Sequence, residues 1–311
     1  MAQRVRFGKT GLEVSTICFG TWQLSPPFWG VQDEQEIAKA IRRAHELGVN
    51  FIDTAGAYGD GLAERVIGKA IAGLPRSELV ICTKVCWHFL PDGRRYADLS
   101  GEYVIQYCQE AMRRMGVDYI DLLLCHSFEP LTDPSDTVEG MEALVKQGKI
   151  RAYGVSNWTV EQMRMGIAAG GNYAACQPRY SLLRRDIEED VLPFCQSNDI
   201  GVMVFSPLHR GLLTGKYTGT ETFSDHRANS PDFQGERFKA ACQAVGKVAG
   251  IAGKYGLTTV QAVLAATIMH TGIHSAIVGV KLPAHIEEAA GAMGKALSRE
   301  DYHNLRKLLA V

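Results

Sequence analysis

The chain has 311 residues, 46% of them hydrophobic and 22% charged, with a formal net charge of −1. That length suits one barrel of about 250 residues with insertions, and a near-neutral charge excludes a global field for nucleic acid or an anionic membrane surface. The opening MAQRVRFGKTG lacks the apolar stretch of a signal peptide, so a cytoplasmic location is expected.

The first expected element is a hairpin, RVRFGKTGLEVS (4–15), placed to close the bottom of a barrel. TICFG (16–20) reads as the first buried strand. Residues 33–47 then put Ile37, Ala38, Ile41 and Ala44 on one helical face, Gly48 supplies a left-handed cap, and VNFIDT (49–54) follows as a strand. GDGLAE (59–64) begins like a dinucleotide fingerprint but lacks the third glycine, and is read as a turn into a helix. After the strand LVICTK (79–84), the helix–glycine–strand pattern recurs at 102–126 around Gly116 and at 137–157 around Gly148. YAACQ (173–177) is a further strand, and VLPFCQSNDI, Gly201, VMVFS is a variant of the pattern. Residues 216–235 read as a long polar loop. The apolar helix near 259–269 is too short to span a bilayer, and SAIVG (275–279) completes eight strand candidates.

Short buried strands alternating with helices imply a parallel sheet, and eight units suggest a closed (β/α)₈ TIM barrel. An open doubly wound sheet is the runner-up. No segment reads as an interdomain linker, so residues 1–311 are taken as one domain. The eight cysteines are scattered through apolar runs with no CxxC pair or zinc spacing. They are expected to be buried and reduced, and no metal is expected.

Polar residues stand where barrel strands end: Asp53, Lys84, His126, Ser156 with Asn157, and Gln177. Each has a plain reading alone. Asp53 suits a turn, Lys84 a solvated loop charge, His126 a satisfied rim histidine, and Ser156-Asn157 a helix cap. A barrel would bring them all to the rim that carries active sites.

FIDTAGAYGDGLAERVIGKAI (51–71), ICTKV (81–85), DYIDLLLCH (118–126), GKIRAYGVSNW (148–158), CQPRYSLL (176–183), FSPLHRGLLTGKY (205–217) and SAIVGVKLPAHIEE (275–288) resemble the aldo-keto reductase superfamily, in its order and over nearly the whole chain. The resemblance implies a catalytic tetrad of Asp53, Tyr58, Lys84 and His126. It implies that Ser156, Asn157 and Gln177 hold a nicotinamide carboxamide, that Phe205 stacks on the ring, and that Thr21 and Trp22 lie near ring and ribose. Ser206, Pro207, Leu208, Arg210, Gly211 and Lys216 would follow the pyrophosphate, with Arg227 folding over it. Gly279, Lys281, His285 and Glu288 would meet the adenosine end. Lys281 points to NADPH, although Ala289 stands where the family often has Asn. The substrate, a small carbonyl compound, would meet Trp22, Trp29, Trp87, His88 and Trp158, which suit a sugar ring or an apolar aldehyde equally.

Carbonyl reduction needs a proton for the nascent alkoxide. Free tyrosine, with a pKa near ~10, is a poor donor unless an ammonium such as Lys84, held charged by Asp53, stabilises its phenolate. His126 would polarise the carbonyl oxygen. No tyrosine has a lysine four residues on, as a short-chain dehydrogenase would need, and there is no HExxH. A Schiff-base role for Lys84 leaves Tyr58 and His126 unexplained. The rival from another class is a cofactor-binding, redox-sensing regulatory subunit with slow turnover, like the channel-associated members of the superfamily. Those members look altered at the position of His126, which this chain keeps.

Overall fold

The computed structural model describes residues 4–90 and 92–311. Strands β1 (Arg4–Arg6) and β2 (Glu13–Ser15) form an antiparallel hairpin. Then come β3 (Ile17–Gly20), β4 (Phe51–Asp53), β5 (Val80–Val85), β6 (Trp87–Phe89), β7 (Arg95–Ala97), β8 (Ile120–Cys125), β9 (Ile150–Ser156), β10 (Ala175–Gln177), β11 (Gly201–Phe205) and β12 (Ser275–Gly279). Eight of these close a wholly parallel barrel in the order β3-β4-β5-β8-β9-β10-β11-β12. They are the eight strands expected from the sequence. β5 therefore stands opposite β11, and β4 opposite β10.

Side chains alternate across each strand, and this alternation builds both the core and the rim. Cys18, Phe51, Val80, Cys82, Leu122, Leu124, Ala152, Ala175, Met203 and Ile277 share one buried cluster inside the barrel. Intervening residues such as Ile52, Ile81, Leu123 and Val204 pack outward under the helices. Two residues beyond the inward set, or four on β9, the same phase gives Gly20, Asp53, Lys84, His126, Ser156, Gln177, Phe205 and Gly279. The C-terminal rim is thus set by the same periodicity as the core.

The hairpin plugs the other end, as expected. Phe7, Leu12 and Val14 join the inner cluster, and the Phe7 and Phe51 rings meet edge to face at 5.5 Å. Gly201 does not cap its helix as expected. Asp199 takes the left-handed conformation (φ 50°), and a Cβ on Gly201 would lie 2.8 Å from the Phe7 ring. Gly48, Gly116 and Gly148 do adopt positive φ. Helix Glu34–Glu46 is capped by Asp33 and buries Ile37, Ala40, Ile41 and Ala44, so Ala40 replaces the expected Ala38. All eight cysteines are buried and unpaired. Among the described residues no helix is long and apolar enough to cross a membrane.

Candidate active site

A cavity of about 800 Å³ opens at the C-terminal rim. Asp53 ends β4 and points inward, 3% exposed. Lys84, from β5, lies beneath the cavity floor. Its Nζ donates to Asp53 Oδ2 at 2.9 Å, to the Thr54 carbonyl at 2.8 Å and to the Tyr58 hydroxyl at 3.2 Å. Tyr58 stands on the loop between β4 and helix Leu62–Ile71, where Gly59, Asp60 and Gly61 all take positive φ. The fingerprint-like GDG is therefore a turn into a helix, as read. His126, just past β8, faces Tyr58 edge-on with ring centroids 6.0 Å apart. The four residues expected as a tetrad meet at one point.

Their electrostatics are coupled. Burial works against the Lys84 charge, but Asp53 and then Tyr58 more than reverse that and hold the ammonium above its ordinary range. Burial raises the Tyr58 phenol, and Lys84 offsets only part of the rise. An ammonium beside a phenol lowers its acidity constant, but here the desolvation of a buried phenolate outweighs Lys84. Tyr58 is consequently a protonated phenol at neutral pH. Burial, then Lys84 and Arg95, push His126 down to about 3, so its ring is neutral. Its Nδ1 is buried and has no partner within the protein.

The loop carrying Tyr58 rests on a second buried network. The Gly56 amide donates to the Tyr107 hydroxyl at 2.7 Å, and Tyr107 donates to Glu64 at 2.8 Å. Thr83, beside Lys84, also donates to Glu64, and Arg114 pairs with it at 2.5 Å. A Cβ on Gly56 would lie 2.6 Å from the Tyr107 ring.

Across the mouth, Gln177 donates to Asp53 Oδ1 at 2.7 Å. Ser156 donates to the Gln177 carbonyl, and Asn157 (φ 59°) donates to the His126 carbonyl. The next helix is capped by Thr159 with Gln162, not by Ser156 or Asn157. Phe205, Ser206, Pro207, Leu208, Arg210, Gly211 and Lys216 line the same cavity. In this strip Ser206, His209, Arg210 and Gly211 all take positive φ. Gly279, Lys281, His285 and Glu288 complete that side. Of the residues expected at a cofactor, Thr21 alone is off the wall. It is fully buried and donates to the Asp53 carbonyl.

The substrate-end expectations divide. Trp22 and Trp87 line the cavity. Trp29 does too, but among basic side chains: Lys281 lies 5.1 Å and Arg227 5.6 Å from its ring. His88 turns away, stacked on Tyr103 at 3.6 Å and bonded to Asp98. Trp158 is buried against Phe128 and Tyr173. Neither His88 nor Trp158 lines the cavity. Aromatic residues near strand ends can pack in the surrounding loops instead, and for these two loop packing won.

The 216–235 segment is less polar than expected. Tyr217, Phe223 and Phe233 pack with Phe238 into a small aromatic core. His226 inserts beside Trp22, Phe28 and Trp29. Arg227 forks onto Asp225 and donates to the Tyr217 hydroxyl. Sequence reasoning missed Gln23, Phe28, Arg95, Arg179 and Arg184, all on the cavity wall. Arg179 had a signal: it stands two residues after Gln177, in the inward phase.

The "Aldo/keto reductase family" profile matches residues 16–310. An aldo-keto reductase of Bacillus subtilis is 34% identical over 304 residues, covering 96% of this chain and 91% of its own. An NADH-specific methylglyoxal reductase of Escherichia coli is 31% identical, covering 98% of both. The structure of an aldo/keto reductase from Klebsiella pneumoniae, in complex with NADP and acetate, superposes with a TM-score of 0.78 at 31% identity, covering 100% of this chain and 96% of that one. The parallel barrel, the Asp53–Tyr58–Lys84–His126 cluster at its rim and the profile match together make this chain a member of the aldo/keto reductase family.

Proposed function

We propose that the chain reduces an aldehyde or ketone to the alcohol with NADPH, and that Tyr58 donates the proton. The observation that carries this reading is the buried Lys84 ammonium, hydrogen-bonded to both Tyr58 and Asp53. A phenol made less acidic by burial holds its proton until an alkoxide forms beside it, and Lys84 then stabilises the phenolate left behind. His126, neutral, has an N–H to offer the carbonyl oxygen and keeps it within reach of Tyr58. Asp53 fixes Lys84 and keeps it charged.

The residues fit a nicotinamide dinucleotide. Buried polar atoms without a hydrogen-bond partner in the protein cluster round the cavity: Gln23 Oε1, Trp29 Nε1, His126 Nδ1 and Arg179 Nη2, the last in only a 4.0 Å ion pair with Asp232. Lys281 is held below its ordinary range by burial and then by Arg227 and Lys216, cationic crowding that an anionic phosphate relieves. The cofactor supplies the hydride. Ser156, Asn157 and Gln177 would orient its carboxamide, Phe205 its ring, and the 206–216 strip its phosphates. Lys281 favours a 2′-phosphate, hence NADPH over NADH.

The test is nicotinamide absorbance with a carbonyl panel. Tyr58→Phe is expected to abolish turnover while NADPH still binds, and Lys84→Met to be nearly as severe. Their double mutant should be little worse than either, because one catalytic unit is not additive. A Tyr58→Phe enzyme working at the normal rate would overturn the assignment. Wild-type protein that binds NADPH but reduces nothing would favour the regulatory reading. Lys281→Ala should weaken NADPH binding more than NADH binding; equal loss would remove the cofactor preference.

A further inference from the structure

The cavity wall carries seven basic side chains, Arg95, Arg179, Arg184, Arg210, Lys216, Arg227 and Lys281, against two acids, Asp53 and Glu288. Asp53 is taken by Lys84. Six of the seven cations follow β10, β11 or β12, on the side where phosphates would lie. Arg95 does not. It belongs to the β6–β7 hairpin directly after β5, and β5 stands across the barrel from β11. Phosphates along the 206–216 strip leave this arginine unanswered.

Its surroundings leave it unanswered as well. Arg95 is exposed, and its guanidinium lies over the Trp87 ring at 4.5 Å. Among the described residues no carboxylate pairs with it, and the nearby acids are engaged elsewhere. Asp92 holds Arg94, Asp98 holds His88 and the Ser100 amide, and Glu129 holds the Leu131 and Thr132 amides. Arg95 lines the cavity together with Tyr58, Trp87, His126 and Ser127, at the reacting end. It is close enough to help suppress the charge of His126.

We infer that Arg95 is a specificity site for an oxyanionic group, a carboxylate or a phosphate, carried by the carbonyl substrate. A guanidinium presents paired N–H donors that match either oxyanion, and stacking on Trp87 orients its plane. Trp87 and Trp22 supply apolar wall for the carbon skeleton between the anion and the carbonyl. The native substrate is thus an aldehyde or ketone bearing an acidic tail, rather than a neutral sugar or alkyl aldehyde. This inference rests on the carbonyl-reductase reading above.

Two matched pairs test it: 4-carboxybenzaldehyde against 4-methylbenzaldehyde, and glyceraldehyde 3-phosphate against glyceraldehyde. In at least one pair the wild-type protein should favour the anion by about tenfold in kcat/KM, the scale of a charge-assisted hydrogen bond. The pair that responds identifies carboxylate or phosphate. Arg95→Met should lower that ratio to near one, mainly through KM, Arg95→Glu should invert it, and Arg95→Lys should retain part. The KM of the favoured anion should rise with ionic strength. No preference in either pair, or a ratio that Arg95→Met and Arg95→Glu leave unmoved, overturns the inference and leaves the reductase reading standing. Failure to reduce any of the four aldehydes would instead strike the reductase reading itself.

Discussion

His126 shows what a side chain's surroundings decide. Its acidity constant, pushed down to about 3, keeps the ring neutral throughout the range in which an enzyme works. The acid limb of a kcat/KM profile should therefore not carry an ordinary histidine titration. His126→Ala should lower kcat/KM by roughly 10²–10³, the scale of a lost oxyanion donor, while NADPH affinity barely changes. Near-normal turnover, measured at saturating cofactor, would return His126 to a structural role. Asp53, Lys84 and His126 are legible because each lies in or directly after a strand whose apolar neighbours announce the inward phase, whereas Tyr58 lies on a loop and is found through the family resemblance. Tyr107 and Glu64 were not, since their hydrogen bonds join helices to a loop some 40 to 50 residues away in sequence. Arg95 is not found from the sequence because the Asp92-Gly93 turn between WHF and RYA is not read there as a hairpin.

Among the elements, the eight strands were readable for a simple reason: fully buried parallel strands are apolar runs bounded by glycine and polar turns. The 216–235 segment was misjudged because polar residues outnumber its aromatic ones, yet the aromatics make the contacts. Phe223 anchors the segment from within, and His226 clips it to the Trp22–Trp29 region. The two attachments differ in strength. The aromatic core is internal to the segment and its helix, whereas the clip spans the cleft. The segment should thus open at the clip first. Limited proteolysis is expected to cut near His226 in the free protein and to be suppressed by saturating NADPH. Cleavage at the same rate with and without cofactor would make this a passive surface loop.

Several histidines of the molecule share the depression seen at the site. Burial holds His209, His270, His274 and His285 below the ordinary value of 6.5, as it does His126. The unfolded chain then binds more protons than the folded one as pH falls below about 6.5, so stability is full above that value and drains away toward pH 3. The midpoint of thermal unfolding, followed by calorimetry, should drop progressively from pH 7 to pH 5; a flat midpoint would mean that these rings titrate normally. The Asp53–Gln177 bond has a consequence of a different kind. It spans the barrel mouth from β4 to β10, joining a group proposed to govern the proton to one proposed to grip the nicotinamide. Two ligands that act through one carboxylate must influence each other equally. Whatever factor the bound dinucleotide applies to the ionisation of Tyr58, that ionisation applies to dinucleotide affinity. Raising the pH through the tyrosine's titration should therefore change the cofactor's dissociation constant, though no ionisable group of the cofactor itself titrates there, and the size of that change measures how tightly proton and hydride are yoked.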